Sequence, residues 1–191
     1  MSVSIKNIEN LIDKHKQEGT YIICALPIEA DNVSNIFYSG LGKINAAMKS
    51  VEIIKSHQPK KIINYGSCGA INRNLKGIIK INKFTQHDID CTPLGFERGV
   101  TPYDDIQDII LDEQEGFSCA SGDYFVSDEN TISADVVDME AYAIAKSCKI
   151  HNIKFDCYKY ISDNADNDAP DNWKDNCSKG FKLFVELLKD I

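Results

Sequence analysis

The sequence predicts an α/β domain, a three-layer sandwich around a mixed central β-sheet. Three observations carry this prediction. Apolar runs of strand length alternate with segments whose apolar residues recur at helical spacing. Glycine-rich stretches, Gly40-Leu41-Gly42-Lys43 and Gly66-Ser67-Cys68-Gly69-Ala70, follow two of the runs directly. Acids stand at or just past the ends of three others, at Glu29, at Asp138-Met139-Glu140 and at Asp163. Strand ends of this kind are where α/β sheets place ligands. With 191 residues the chain is expected to form one domain, residues 1–191, burying about 70% of its unfolded surface.

Taken in order, Ile5–Gln17 puts Ile8, Leu11 and Ile12 on one helical face and reads as an N-terminal surface helix within residues 1–18. Tyr21–Leu26 is a buried strand that Pro27 ends, so Glu29 falls on the loop beyond it. Asn35–Ser39 is a second strand, and the two glycines after it turn the chain into a helix, Ile44–His57, whose N-terminus suits an anion. As a dinucleotide fingerprint this glycine pair is weak, because the third glycine is missing. Lys61–Tyr65 is a strand, and Gly66–Ala70 reads as a tight turn requiring positive φ or as a hydroxyl-bearing ligand loop.

Ile78–Ile81 and Phe84–Ile89 read as a strand pair. His87-Asp88-Ile89-Asp90 has metal-ligand residue types without a matching cluster, so no metal is expected. Cys91–Gln114 holds most of the proline, glycine and acid and should be a long irregular excursion. Phe117–Ala120 returns to strand and leads into Ser121-Gly122-Asp123-Tyr124-Phe125. Phe125 suits either stacking on a flat ligand or covering the core. Ala134–Val137 is a strand, Met139–Ile150 a helix and Phe155–Ile161 a strand running into Ser162-Asp163. The acids after these strands are either helix caps or a site. A final helix is expected, capped by Asp171 behind Pro170, with Phe181, Phe184, Val185 and Leu188 inward.

The net charge of −8 argues against a nucleic-acid backbone or an anionic membrane surface as partner. No run approaches the length of a transmembrane span, and Met1–Asn10 is too polar for a signal peptide. Seven scattered cysteines without a Cys-x-x-Cys spacing point to reduced thiols in a cytoplasmic chain rather than disulfides or structural zinc.

Five stretches occur in a recognisable order: Ser39-Gly40-Leu41-Gly42-Lys43-Ile44-Asn45-Ala46-Ala47, Asn64-Tyr65-Gly66-Ser67-Cys68-Gly69-Ala70, Ser121-Gly122-Asp123-Tyr124-Phe125, Asp138-Met139-Glu140 and Ile161-Ser162-Asp163-Asn164-Ala165-Asp166. Together they resemble the nucleoside phosphorylase/nucleosidase superfamily, and most of all its methylthioadenosine/S-adenosylhomocysteine nucleosidases. The resemblance runs from about residue 21 to the C-terminus. It implies a phosphorylase/nucleosidase-like fold, shortened after Glu29 and before Ala134, and cleavage of a purine N-glycosidic bond without a cofactor. Asp163 matches the acid that protonates the purine and Ser162 the residue that holds it. Glu140 matches the carboxylate on the ribose hydroxyls, with Met139 against the sugar and Asp138 beside them. Glu29 matches the acid that activates water, with Ser67 next to water and ribose. Phe125 matches the aromatic that stacks on the base, and the Val126 backbone reads its edge.

The expected substrate is a small purine nucleoside, a 5′-modified adenosine, and the expected assembly a homodimer. Asp138 stands where bacterial nucleosidases usually have Glu. Arg98, in Gly95-Phe96-Glu97-Arg98, replaces an aromatic over the 5′ substituent, so Phe96 and Arg98 are expected to contact that group or a neighbouring subunit. Hexameric purine phosphorylases carry phosphate-binding arginines where this chain has Asn64 and the Pro27–Glu29 stretch, and neither Arg73 nor Arg98 fills those places. Water is therefore the expected nucleophile. Phosphorolysis, hydrolysis of futalosine or AMP, and nucleoside binding without turnover are the competing readings.

Overall fold

Apolar periodicity of two kinds builds the core. In this computed structural model, which describes residues 4–111, 116–127 and 132–191, buried strands supply both faces of one sheet and amphipathic helices cover them. The helices are α1 (Ile5–Gln17), α2 (Lys43–His57), α3 (Ala141–Ile150), α4 (Ala169–Asn176) and α5 (Phe181–Leu188). The strands are β1 (Thr20–Cys24), β2 (Phe37–Tyr38), β3 (Lys61–Ala70), β4 (Ile78–Gln86), β5 (Ile109–Ile110), β6 (Phe117–Ser121), β7 (Val136–Asp138) and β8 (Lys154–Asp163). Ile8 and Ile12 of α1 and Phe181, Phe184, Val185 and Leu188 of α5 pack on one face with Ile22, Ile63 and Tyr65. Ala46, Ile53 and Ile54 of α2 and Ala141–Ala145 of α3 pack on the other with Ile62, Ile81 and Phe84. The chain is thus the α/β sandwich with a mixed sheet that its sequence predicts.

The pairing pattern adds a closure that the sequence did not reveal. β3 runs parallel to β1 and β8, β8 antiparallel to β4, β4 parallel to β6, and β6 parallel to β7. β7 then returns antiparallel to the far end of β3 through Gly69 and Ala70, which closes a five-strand ring. β1 and β2 extend the sheet from β3, and β5 lies antiparallel on β4. Long-range pairing of β3 with both β8 and β7 brings four strand ends to one place.

Several boundaries differ from expectation for identifiable reasons. Gly66–Ala70 is not a turn but the second half of β3, paired with β8 across an irregularity at Cys68/Gly69. Neither Gly66 nor Gly69 adopts positive φ. What requires glycine is close approach: a Cβ on Gly69 would lie 2.7 Å from Asp163 Oδ1. The Ile78–Ile81 and Phe84–Ile89 pair is one strand, β4, whose register shifts between Ile81 and Lys83; His87, Asp88 and Ile89 lie beyond it. The final helix is two. Pro170 and Asp171 sit inside the first turn of α4, which Asp168 precedes, so Asp171 is not the cap. The break before α5 falls at Gly180, where a Cβ would come 2.2 Å from Tyr160 Cγ. The Cys91–Gln114 excursion carries only a 3-10 turn at Thr92–Leu94 and β5 among its described residues; its end at Gln114 lies outside them. All seven cysteines are free thiols, and no helix among the described residues is long and apolar enough to cross a membrane.

Candidate active site

The carboxyl ends of β1, β3, β7 and β8 surround a cavity of about 160 Å³. Each wall follows from local sequence. Beyond β1, Pro27 starts a 3-10 turn, Pro27–Ala30, that folds Glu29 back under the sheet, where it is 3% exposed. Its Oε1 accepts from the Ser67 amide at 2.8 Å and the Ser67 hydroxyl at 2.6 Å. Its Oε2 accepts from the Leu26 amide at 3.0 Å and the Cys24 thiol at 3.5 Å. The carboxylate is therefore held by both oxygens, facing the cavity that Ser67 also lines.

Asp138 ends β7, and its carboxylate accepts from the Ala141 amide at 2.9 Å and from the Ser121 hydroxyl. Asp138 thus takes up the first amide of α3, which Ala141 opens, although the cap position itself is Glu140, whose side chain makes no capping bond. Asp138 also pairs at 2.7 Å with Lys159, and both side chains are almost wholly buried. Burial opposes its ionisation, but the Lys159 charge and the hydrogen bonds from Lys159, Ser121 and Ala141 outweigh it and hold the carboxyl below its ordinary range. For Lys159 burial works against the charge, and Asp138 more than offsets it, keeping the ammonium well above its ordinary value.

Glu140 behaves oppositely. It is 6% exposed and its Oε1 accepts from the Gly42 amide at 2.8 Å, so the α2 N-terminus meets a carboxyl group supplied by the protein itself. Burial, with the neighbouring Asp138 charge adding to it, pushes its carboxyl up to about 8. Asp163 closes β8. Ser162 Oγ donates to its Oδ2 at 2.7 Å, and the Ala165 amide donates to Oδ1 at 2.9 Å. Burial nevertheless raises this carboxyl from its ordinary value, with Asp166 adding to the effect. Two of the four acids thus favour holding a proton and one is locked as an anion, the separation of roles that acid–base sites exploit.

Phe125 and Met139 line the cavity, and Phe125 stands 43% exposed at its edge rather than in the core. Val126 is buried beside Ala120, Val137 and Ala165. The structure does not bring Phe96 or Arg98 into this cavity: Phe96 stacks edge-on against Tyr103, and Arg98 is exposed. His87 and Asp88 go elsewhere too, His87 to the Tyr124 hydroxyl at 3.2 Å and Asp88 to Lys43.

Two residues at the site escaped sequence reasoning. Lys159 is a lone cation inside an otherwise buried strand end, and a fully buried lysine requires a partner. That signal was available. Trp173 lines the cavity from α4 and donates its indole N–H to Ser67 Oγ at 2.9 Å. No local pattern marks it.

Comparison with known proteins agrees with this geometry. The profile of the Phosphorylase superfamily matches residues 6–116. A 5'-methylthioadenosine/S-adenosylhomocysteine nucleosidase of Buchnera aphidicola is 32% identical, over 92% of this chain and 89% of its own. One of the same name from Haemophilus influenzae is 33% identical, over 80% of this chain and 74% of its own. Among solved structures, the futalosine hydrolase of Helicobacter pylori superposes with a TM-score of 0.80 at 20% identity, covering 89% of this chain and 95% of that one. The same organism's 5'-methylthioadenosine/S-adenosyl homocysteine nucleosidase, solved with a small-molecule inhibitor, gives 0.79 at 20% identity, covering 90% and 96%. These likenesses, with the five motifs and the ring-closed mixed sheet, establish that the chain belongs to the phosphorylase superfamily, alongside relatives named methylthioadenosine/S-adenosylhomocysteine nucleosidase.

Proposed function

We propose that this protein is a purine nucleosidase that hydrolyses the N-glycosidic bond of a 5′-modified adenosine, methylthioadenosine or S-adenosylhomocysteine, and releases adenine. One observation carries the choice of water over phosphate. Glu29, Asp138, Glu140 and Asp163 all line the cavity, and no lysine or arginine stands among its described lining residues. Such a wall offers a phosphate dianion no cation to bind, while the carboxylates that ionise in it favour a cationic, oxocarbenium-like transition state.

In this reading Asp163, whose protonated form burial favours, donates to N7 of the purine as the C1′–N9 bond breaks and the bonding pair leaves with the base. Ser162 holds Asp163 in place. Glu29 accepts a proton from the water whose oxygen bonds C1′, and Ser67 flanks that water. Glu140 takes the ribose hydroxyls against Met139, and its negative charge is favoured as cationic character develops at the sugar. Phe125 stacks on the base, and the Val126 backbone reads its edge. Asp138 acts behind these groups by setting the start of α3.

The chain works as a single domain without a cofactor, in the cytoplasm, in salvage of methionine from spent methyl-donor nucleosides. We further propose a homodimer. Ile44 and Met48 on the outer face of α2 are 73% and 69% exposed, beside the cavity wall at Leu41. Phe96 and Arg98 lie outside this chain's own cavity, and in such a dimer we assign them to contact with a neighbour's 5′ group. The test is a panel of methylthioadenosine, S-adenosylhomocysteine, adenosine, inosine, AMP and futalosine, with base release measured for each. Fastest release from the first two supports the reading; release from none of them overturns it.

A further inference from the structure

Trp173 is the only tryptophan in the chain, and it reaches the cavity from α4 rather than from the sheet. Its indole N–H donates to Ser67 Oγ at 2.9 Å, across 106 residues of sequence. Ser67 in turn has one hydroxyl proton, and it lies on Glu29 Oε1 at 2.6 Å. A hydroxyl that accepts from one side and donates to the other has its rotor fixed. With the Ser67 amide on the same oxygen and the Leu26 amide on the other, Glu29 cannot turn its carboxylate plane. α4 is tied down at a second point on the same side, where Asn176 Nδ2 donates to the Ser162 carbonyl at 2.8 Å. The short helix therefore spans the strand that holds the Glu29 partner and the strand that carries Asp163.

We infer that Trp173 is a positioning residue: its indole N–H, acting through the Ser67 hydroxyl, fixes the direction in which Glu29 faces the attacking water. The chemical consequence is specific. While the indole occupies one lone pair of Ser67 Oγ and Glu29 takes its proton, Ser67 is left with one lone pair and no proton to give. A water between Ser67 and Glu29 must then donate to both, and its own lone pairs point away from them, towards the sugar carbon. Without the indole, the Ser67 proton is free to swing to the water, which would then present a hydrogen where a lone pair is needed.

This inference rests on the nucleosidase reading, and its test keeps the two apart. W173F retains an aromatic ring and removes only the N–H. It is expected to lower kcat for adenine release about ten-fold while KM stays within about two-fold, the size expected of one oriented hydrogen bond. In an S67A background the same substitution is expected to change kcat by less than about two-fold, because the intermediary is gone. A W173F effect of equal size in both backgrounds, or none in either, overturns the relay. Because Trp173 is the sole tryptophan, its emission reads the contact without turnover: S67A must shift the emission maximum of the free protein, and an unchanged spectrum rules out the hydrogen bond. If the wild type releases no base at all, the nucleosidase reading fails and the role of Trp173 fails with it, whatever the spectrum shows.

Discussion

Lys159 offers the sharpest perturbation of this fold. Its side chain is 2% exposed and its only ion-pair partner among the described residues, Asp138 at 2.7 Å, is 1% exposed. K159M keeps the bulk and removes the charge. Asp138 is then left as a buried anion facing Glu140, with Ser121 and the Ala141 amide as its remaining donors. Breaking a buried pair from one side costs about 3–5 kcal/mol. For a domain of this size that corresponds to a Tm lower by about 6–20 °C. The contribution of Asp138 to the pH dependence should change sign as well, adding to the gain at lower pH that Glu140 already gives the wild type. In the wild type the carboxyl of Asp138 is held below its ordinary value, so its contribution is present above that value and lost as pH falls through the folded one. Without Lys159, burial dominates and the carboxyl is raised, so the variant should gain stability as pH falls through the mildly acidic range. The assay is thermal unfolding by circular dichroism from pH 5 to 8, with D138N and the K159M/D138N double variant alongside. The double variant should recover most of the loss, since no uncompensated charge remains. A Tm for K159M within about 2 °C of wild type, where the buried-pair penalty requires three times that or more, would refute the reasoning.

Two further outcomes follow from the site. G69A places a methyl group 2.7 Å from Asp163 Oδ1 and 3.1 Å from Ala165 Cβ, so it should destabilise the fold by about 1–3 kcal/mol and lower kcat far more than it lowers Tm; a variant with wild-type kcat would show that Asp163 tolerates displacement. Glu140, pushed up to about 8 in the folded state, binds a proton that the unfolded chain has already lost, so wild-type stability should decline as pH rises from about 4.5 to 8. E140Q should flatten that decline in a urea-midpoint series, and an unchanged slope would place the coupled proton elsewhere.

Much of this architecture is legible in the residues, and the parts that are not share a cause. Strand and helix runs announce themselves by period, and Pro27 marks where the 3-10 turn beyond β1 begins, although the strand itself already ends at Cys24 rather than Leu26. Glu29, Glu140 and Asp163 stand out as acids just past apolar runs, and all three line the cavity. What the local pattern cannot distinguish is a glycine needed for positive φ from one needed for close approach. Gly40 and Gly42, at φ 82° and 91°, are of the first kind; Gly66 and Gly69 are of the second and belong to a strand. That difference depends on where Asp163 and Lys159 lie, which only the pairing of β3 with β8 decides. The split between α4 and α5 has the same origin, because Gly180 answers to the Tyr160 ring on a distant strand. Trp173 likewise acquires its place only when α4 docks on β8 and its indole reaches Ser67 of β3.

The central claim is that a proton from Asp163 and a water at Glu29, not phosphate, cleave the glycosidic bond. The most direct measurement is adenine release from methylthioadenosine by the wild type and by D163N, in phosphate-free buffer and again in saturating phosphate. Wild-type turnover should be indifferent to phosphate, and the D163N rate should be lower by at least about 100-fold in both buffers, the scale of a lost general acid. Turnover that appears only with phosphate, or a D163N variant as active as the wild type, would contradict the claim.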